Sequence, residues 1–287
     1  MATTTAVHSN AFNFLSFVQS GVDARTGQYT VSLSLPEVKT CELSGPVVPL
    51  TLNFNPLNTV DAGFGLGWEM GLTQYASDTQ IISLHSGETF RVTGPYPGFT
   101  HRLRMKEQKI ENFHLFTLPD NDNRFKVVHK SGLVEVLELK GASPQVAVPV
   151  KMYSPQGHEV SLEYITAPSG QPMLSALLDS TGALLRITRD TAAHTVTFAM
   201  GLTNGIPSAQ VVLNLINDHV ERITLPTTEG AGWRFEYQTE KTLSCISAVW
   251  TPLGAHETIL YNDEGHGFPG RDTQRKLPRV TRHTTDP

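Results

Sequence analysis

The sequence predicts an all-β protein made of serial antiparallel β-hairpins, about 23–25 residues per unit, forming a large curved sheet or shell wall; a β-sandwich is the alternative. Three observations lead there. Gly132, Gly157, Gly182, Gly205, Gly230 and Gly254 recur at steps of 25, 25, 23, 25 and 24 residues. Five residues before each stands an apolar side chain: Val127, Met152, Leu177, Met200, Leu225 and Val249, with Ile82 before Gly87 repeating the rule upstream. The segments between the glycines alternate apolar and polar residues, as in Val160-Leu162-Tyr164 against Glu159-Ser161-Glu163. A glycine supplies the positive φ of a tight turn, and period-two arms supply the strands beside it, so each unit reads as a hairpin. Repetition of a unit that cannot bury its own apolar face implies edge-to-edge addition.

Along the chain, residues 1–75 read as an N-terminal strand segment. Phe12 to Val18 is short and aromatic-rich, fitting a strand or a single helical turn. After Gly27, Tyr29, Val31, Leu33 and Leu35 alternate with polar residues until Pro36, and Leu50, Leu52 and Phe54 repeat that signature after Gly45-Pro46. Gly63-Phe64-Gly65-Leu66-Gly67-Trp68 follows, a tight glycine-rich bend beneath a tryptophan. Residues 76–264 read as the hairpin repeat region, starting with a strand from Gln80 to Leu84 and a turn at Ser86-Gly87-Glu88. Asp120 to Asn123 is turn chemistry, since Asp and Asn tolerate left-handed backbone. Met173 to Leu178 and Ala183 to Ile187 have some helical character, but Asp179-Ser180-Thr181-Gly182 between them marks a hairpin. Residues 265–287, with Arg271, Arg275, Lys276, Arg279 and Arg282 among prolines, glycines and Asp272, read as a connecting tail.

Composition narrows the functional classes. Charged residues are 17%, below the roughly 25% usual for soluble domains, which suits strands covered on both faces. A net charge of −5 offers no electrostatic footprint for nucleic acid. Cys41 and Cys245 have no metal-ligand spacing and read as free thiols, with pairing left open. Met1 to Asn10 has neither the basic nor the apolar region of a signal peptide, and no apolar run approaches the roughly 20 residues that cross a bilayer. Export from the cell would therefore need specialised machinery or lysis, after a cytoplasmic stage.

No local motif carries chemistry. The glycines at 63, 65 and 67 lack the spacing, the Lys-Ser/Thr ending and the following helix of a phosphate cradle. His85, His101, His114 and His129 are scattered over different turns and strands, without zinc-ligand spacing. Asp120 and Asp122 lack the glycine and terminal glutamate of a calcium loop. Glu159 and Glu163 share a strand face, as paired glycosidase carboxylates would, yet alternating acids are ordinary on exposed strands. Trp68, Trp233, Trp250, Tyr153 and Tyr96 are the aromatics available for stacking on a sugar; Trp233 reads as core and Tyr96 as the exposed candidate. No catalytic, cofactor-binding or metal-ligating residue is expected, and the chain is not expected to be an enzyme.

The last unit runs Ile246-x-x-Val249, Gly254, then Glu257-Thr258-Ile259-Leu260-Tyr261-Asn262-Asp263-Glu264-Gly265. It resembles the Rhs or YD-repeat pattern of an aliphatic pair, a turn glycine and a Tyr-x-Tyr-Asp-x-x-Gly ending, with Ile259 in place of the first tyrosine and Asn262 before the aspartate. Arg234-Phe235-Glu236-Tyr237 is similar to the same ending without its aspartate. Asp23-Ala24-Arg25-Thr26-Gly27, the bend at Gly63 to Trp68 and Ser86-Gly87-Glu88-Thr89-Phe90 resemble the segment that opens bacterial Rhs-type proteins and related Tc-toxin components. The resemblance implies a wall segment of a longer polypeptide whose hairpins enclose a C-terminal toxin. It implies as partners the rest of that polypeptide and secretion or toxin-complex components. The family's self-cleavage core and a toxin domain are absent from these residues, so no catalytic role carries over. An open final edge is expected, through which copies associate or which the tail covers. The alternative function, from the sandwich reading, is attachment to a cell-surface glycan.

Overall fold

The computed structural model describes residues 17–119, 121–142, 145–227, 229–266 and 277–286. Phe12 to Ser16, Asp120 and the tail's Arg271, Asp272, Arg275 and Lys276 lie outside them. Four strands, β1 (Val18–Val22), β2 (Tyr29–Ser34), β3 (Thr51–Phe54) and β4 (Trp68–Met70), pair antiparallel in chain order. Their period-two pattern buries Tyr29, Val31, Leu33, Leu52, Phe54 and Trp68.

Eight strands then close a barrel. They are β5 (Gln74–Ala76), β6 (Ile81–Ser83), β7 (Thr89–Pro95), β8 (Arg102–Met105), β9 (Phe113–Leu118), β10 (Asn121–His129), β11 (Val134–Lys140) and β12 (Val146–Tyr153). Each pairs with the next, and the ring shuts where Tyr75 of β5 pairs with Ala147 of β12. Ile82, Val92, Phe113, Leu115, Val127 and Leu137 fill its interior. Pro149 of β12 sits beside a register shift between Val136 and Leu137, where a residue without an N–H is tolerated.

Only part of one edge of β12 is used by β5. Farther along, Lys151, Met152 and Tyr153 pair with Ser161, Val160 and Glu159 of β13 (Glu159–Thr166). From there the sheet runs on through β14 (Pro172–Asp179), β15 (Gly182–Asp190), β16 (Thr195–Met200), β17 (Ala209–Ile216), β18 (His219–Thr224), β19 (Gly232–Glu240), β20 (Leu243–Trp250), β21 (His256–His266) and β22 (Leu277–Asp286). Among the described residues, β5 to β22 form one antiparallel sheet of 18 strands, part of it closed and part extended.

Six of the seven glycines of the repeat lie in hairpin connections and Gly182 opens strand β15 at its turn, all with φ between 61° and 128°. The apolar residues five positions before them are at most 5% exposed. Both arms of the segment with helical character are strands, β14 and β15, with Asp179 paired to Gly182 at the turn.

Two places differ from the sequence-based expectation. The segment 265–287 is not only a connector: Leu277–Asp286 is strand β22, which pairs along β21 from Asp286 opposite His256 to Leu277 opposite His266. Pro278 does not interrupt that pairing, because an edge strand keeps one side free of ladder bonds. The break between the N-terminal sheet and the repeat region lies between Met70 and Gln74, so Tyr75 belongs to the barrel.

One face of the extended run is covered by the N-terminal sheet. A continuous core joins Tyr29, Leu33, Phe54, Phe64 and Trp68 to Phe198, Leu213, Val220, Phe235 and Val249. The barrel interior is a second, separate core.

Candidate functional site

The glycine bend is the junction between the two layers. Its backbone N–H groups are already satisfied from within: Asp61 Oδ1 accepts from the N–H of Gly63 at 2.8 Å and of Gly65 at 2.9 Å. The other carboxylate oxygen pairs with the Arg189 guanidinium, which also reaches Asp218 at 3.3 Å. A phosphate cradle uses such N–H groups, and here those of Gly63 and Gly65 are taken by Asp61. Gly65 has a φ of 103°, and a Cβ there would stand 3.0 Å from Val220 and 3.2 Å from the Asp218 carbonyl. The bend therefore passes hard against β17 and β18, where Leu66 N–H donates to Asp218 O at 2.7 Å. Phe64 stacks on Phe198, with centroids 5.9 Å apart, and the Trp68 indole N–H donates to Tyr237 Oη at 3.1 Å. Arg189 thus binds the same Asp61 that caps the bend.

A second cluster lies where the barrel closes. His85 in the β6–β7 connection, His129 at the end of β10 and Glu135 in β11 bring their ligand atoms within 4.8 Å of one another. His85 Nδ1 is 3.3 Å from Glu135 Oε1, and His129 Nε2 is 3.5 Å from Glu135 Oε2. The Glu135 side chain is 1% exposed, yet its Oε2 and the facing His129 Nε2 have no hydrogen-bond partner. Burial pushes the Glu135 carboxyl up, but the imidazoles of His129 and His85 overcome this and hold it at about 2. Burial, and then the Glu135 charge, push the Tyr164 hydroxyl well above its ordinary value, and that hydroxyl too is buried without a partner. Thr73 Oγ1 lies 3.4 Å from His85 Nδ1 and accepts from the His85 backbone N–H at 3.2 Å, fixing the ring's position.

Sequence spacing scatters the four histidines, and the structure corrects that for two of them. The barrel brings His85 and His129 together, while His101 lies beside Thr117 and His114 packs on Phe116. Nothing local in the sequence marks Glu135, whose neighbours Val134 and Val136 form an ordinary strand. A charged residue at an inward-facing position of the alternating pattern was the only signal. His85 also lines a cleft of about 720 Å³, shared with Pro46, Val47, Ser131, Ser154 and His158. The loop above it turns through three left-handed residues, Cys41, Glu42 and Leu43, with φ of 45°, 53° and 73°. Asp179 Oδ2 steadies that turn by accepting from Cys41 N–H at 2.6 Å.

The other candidates are engaged elsewhere. Glu159 accepts from Lys151 Nζ at 2.7 Å, and that ammonium draws its carboxyl down, while Glu163 is exposed. The Arg102 guanidinium lies 3.8 Å over the Tyr96 ring, and Tyr96 Oη donates to Glu111. Trp250 has Arg234 3.7 Å over its ring and His256 stacked at 4.5 Å, while Trp68 and Trp233 are core. Cys41 and Cys245 are free thiols.

No protein-family model matches the chain, and no curated protein matches its sequence. Among solved structures, the crystal structure of TcdB2–TccC3 resembles this fold with a TM-score of 0.52 at 10% identity, over 93% of this chain and 20% of that one. The crystal structure of TcdB2–TccC3–Cdc42 does so with a TM-score of 0.52 at 11% identity, over 90% of this chain and 19% of that one. The chain thus spans about a fifth of the length of the chains it resembles. Among the described residues, no helix is long and apolar enough to cross a membrane.

Proposed function

We propose that this chain is a non-enzymatic structural module of a larger Rhs/YD-repeat, toxin-associated protein, contributing to a β-shell that encloses or carries a C-terminal toxin. Both neighbouring structures are of Tc-toxin components, which supports the toxin-associated reading. The observation that carries it is the form of the extended run. Hairpins add in chain order from β13 to β22; among the described residues no further strand pairs with β22, and Gly27 and Gln28 of the β1–β2 turn meet only part of its edge. An unpaired strand edge is a template for the next hairpin, and a wall built this way lengthens without changing its plan. The partners on this reading are further repeats, a C-terminal toxin and toxin-complex components, and the protein leaves the cell by a specialised route.

The test uses the complete natural reading frame that contains this sequence. Electron cryo-microscopy should show strands continuing beyond β22 into a closed shell, and limited proteolysis should spare the C-terminal segment until the shell is denatured. A product whose final strand is β22, or whose C-terminal segment is digested as fast as a free peptide, sinks the proposal.

A further inference from the structure

We propose that His85, His129 and Glu135 bind one divalent transition-metal ion, with zinc(II) as the first choice, and that the ion ties the β6–β7 connection to the β10–β11 hairpin. Two imidazole nitrogens and one carboxylate are a donor set that suits zinc and its neighbours, whereas calcium and magnesium favour all-oxygen shells. Zinc bonds of this type leave neighbouring ligand atoms about 3.3 Å apart in a tetrahedron. His85 Nδ1 lies 3.3 Å from Glu135 Oε1 and His129 Nε2 lies 3.5 Å from Glu135 Oε2, and one ligand atom from each of the three residues lies within 4.8 Å of the others, so a small closure of the triad brings them to those distances.

A simple ion-paired triad would satisfy its buried atoms by hydrogen bonds between them. Here Glu135 Oε2 and His129 Nε2 stand 3.5 Å apart, within ion-pair reach, but make no hydrogen bond, with the Glu135 side chain 1% exposed. A buried acceptor left unsatisfied is costly, and a cation between the two atoms satisfies both. His85 has a side-chain exposure of 26% and reaches the cleft, so a water from that side completes the fourth position. Thr73 Oγ1 accepts from the His85 backbone N–H at 3.2 Å and so fixes the backbone that carries the His85 ring beside Glu135.

The experiment titrates chelator-treated wild-type protein with zinc chloride by calorimetry, with magnesium chloride as control, and records the visible spectrum with cobalt(II) in zinc's place. The expected result is one zinc per chain with sub-micromolar affinity, no magnesium heat, and the intense visible bands of four-coordinate cobalt. Zinc should raise the melting temperature of the wild type and leave that of His85→Gln unchanged, with at least a tenfold loss of affinity in both His85→Gln and Glu135→Gln. His85→Gln lies on the rim and keeps the barrel interior intact, so it reports even where Glu135→Gln fails to fold. His158→Ala, in the same cleft but outside the triad, should bind as the wild type does. The proposal is overturned by wild-type protein that takes up no zinc at one per chain, by cobalt showing only the weak bands of an octahedral hydrated ion, or by His85→Gln binding undiminished. None of these outcomes bears on the wall function.

Discussion

Gly65 shows why a single residue type is required at the layer junction. Its φ of 103° disfavours any L side chain, and Val220, Leu215 and the Asp218 carbonyl occupy the space a Cβ would take. Gly157 has a similar φ of 90° but open space around it. Gly65→Ala should therefore cost about 2–4 kcal/mol in urea denaturation and Gly157→Ala about 1 kcal/mol, since only the first adds a clash to the backbone strain. Equal costs would mean that the bend is free to move away from β17 and β18. The thiols offer a second residue-scale check. Burial, and then the Glu240 charge, push Cys245 up to about 12, and it is fully buried, while Cys41 is partly exposed on its loop. A thiol reagent at mildly alkaline pH should modify one cysteine in the native protein and two in denaturant. Fast native modification of both would contradict the burial of β20. The turn glycines were legible because positive φ is a local demand that sequence records directly. The pairing of His85 with His129 was not, since it depends on closing a ring through a single residue pair between β5 and β12.

Strand β22 shows what an element's composition conceals. Arginines, prolines and glycines suggest a connector, yet Arg279, Thr281 and Arg282 are exposed residues of an edge strand, where charge discourages pairing with other chains. The strand is also held from the N-terminal sheet: Val280 N–H donates to the Gly27 carbonyl at 2.9 Å, and the Gln28 amide donates to the Pro278 carbonyl. Part of the edge is thus covered by the β1–β2 turn, where the tail was expected to act as cover and instead supplies the strand. Removing residues 277–287 should leave β21 as an edge bearing Leu260, which is 47% exposed even with β22 in place. Size exclusion with light scattering should then show concentration-dependent association that the intact chain lacks. A truncated protein that stays monomeric at the same concentrations would show that β22 does not protect the edge. The alternation of β13, β16, β17 and β19 gave their inward faces correctly from sequence, because a strand buried on one side must keep period two.

At the scale of the molecule, the two cores divide the labour. The N-terminal strands were recognisable from their alternation, but their place over the extended run was not, because packing between distant segments leaves no periodic trace. Trp68 is the anchor of that packing, fully buried against Phe54 and Phe235. Trp68→Ala should cost about 3–5 kcal/mol. Hydrogen exchange should accelerate in β1–β4 and in β17–β20 while β6–β10 keep their protection, since the barrel has its own core. Uniform acceleration would show that the two cores open as one. The shared edge of β12 then has a consequence for how such a chain is made. A strand that completes a ring with one part of its edge and offers the rest to β13 gives growth a fixed origin and a single direction. As the polypeptide leaves the ribosome, N-terminal parts fold first. If the ring closes in that order, it stands complete before β13 is made, and each hairpin from β13 to β22 is synthesised after the neighbour it pairs with, so the order of translation matches the order of pairing.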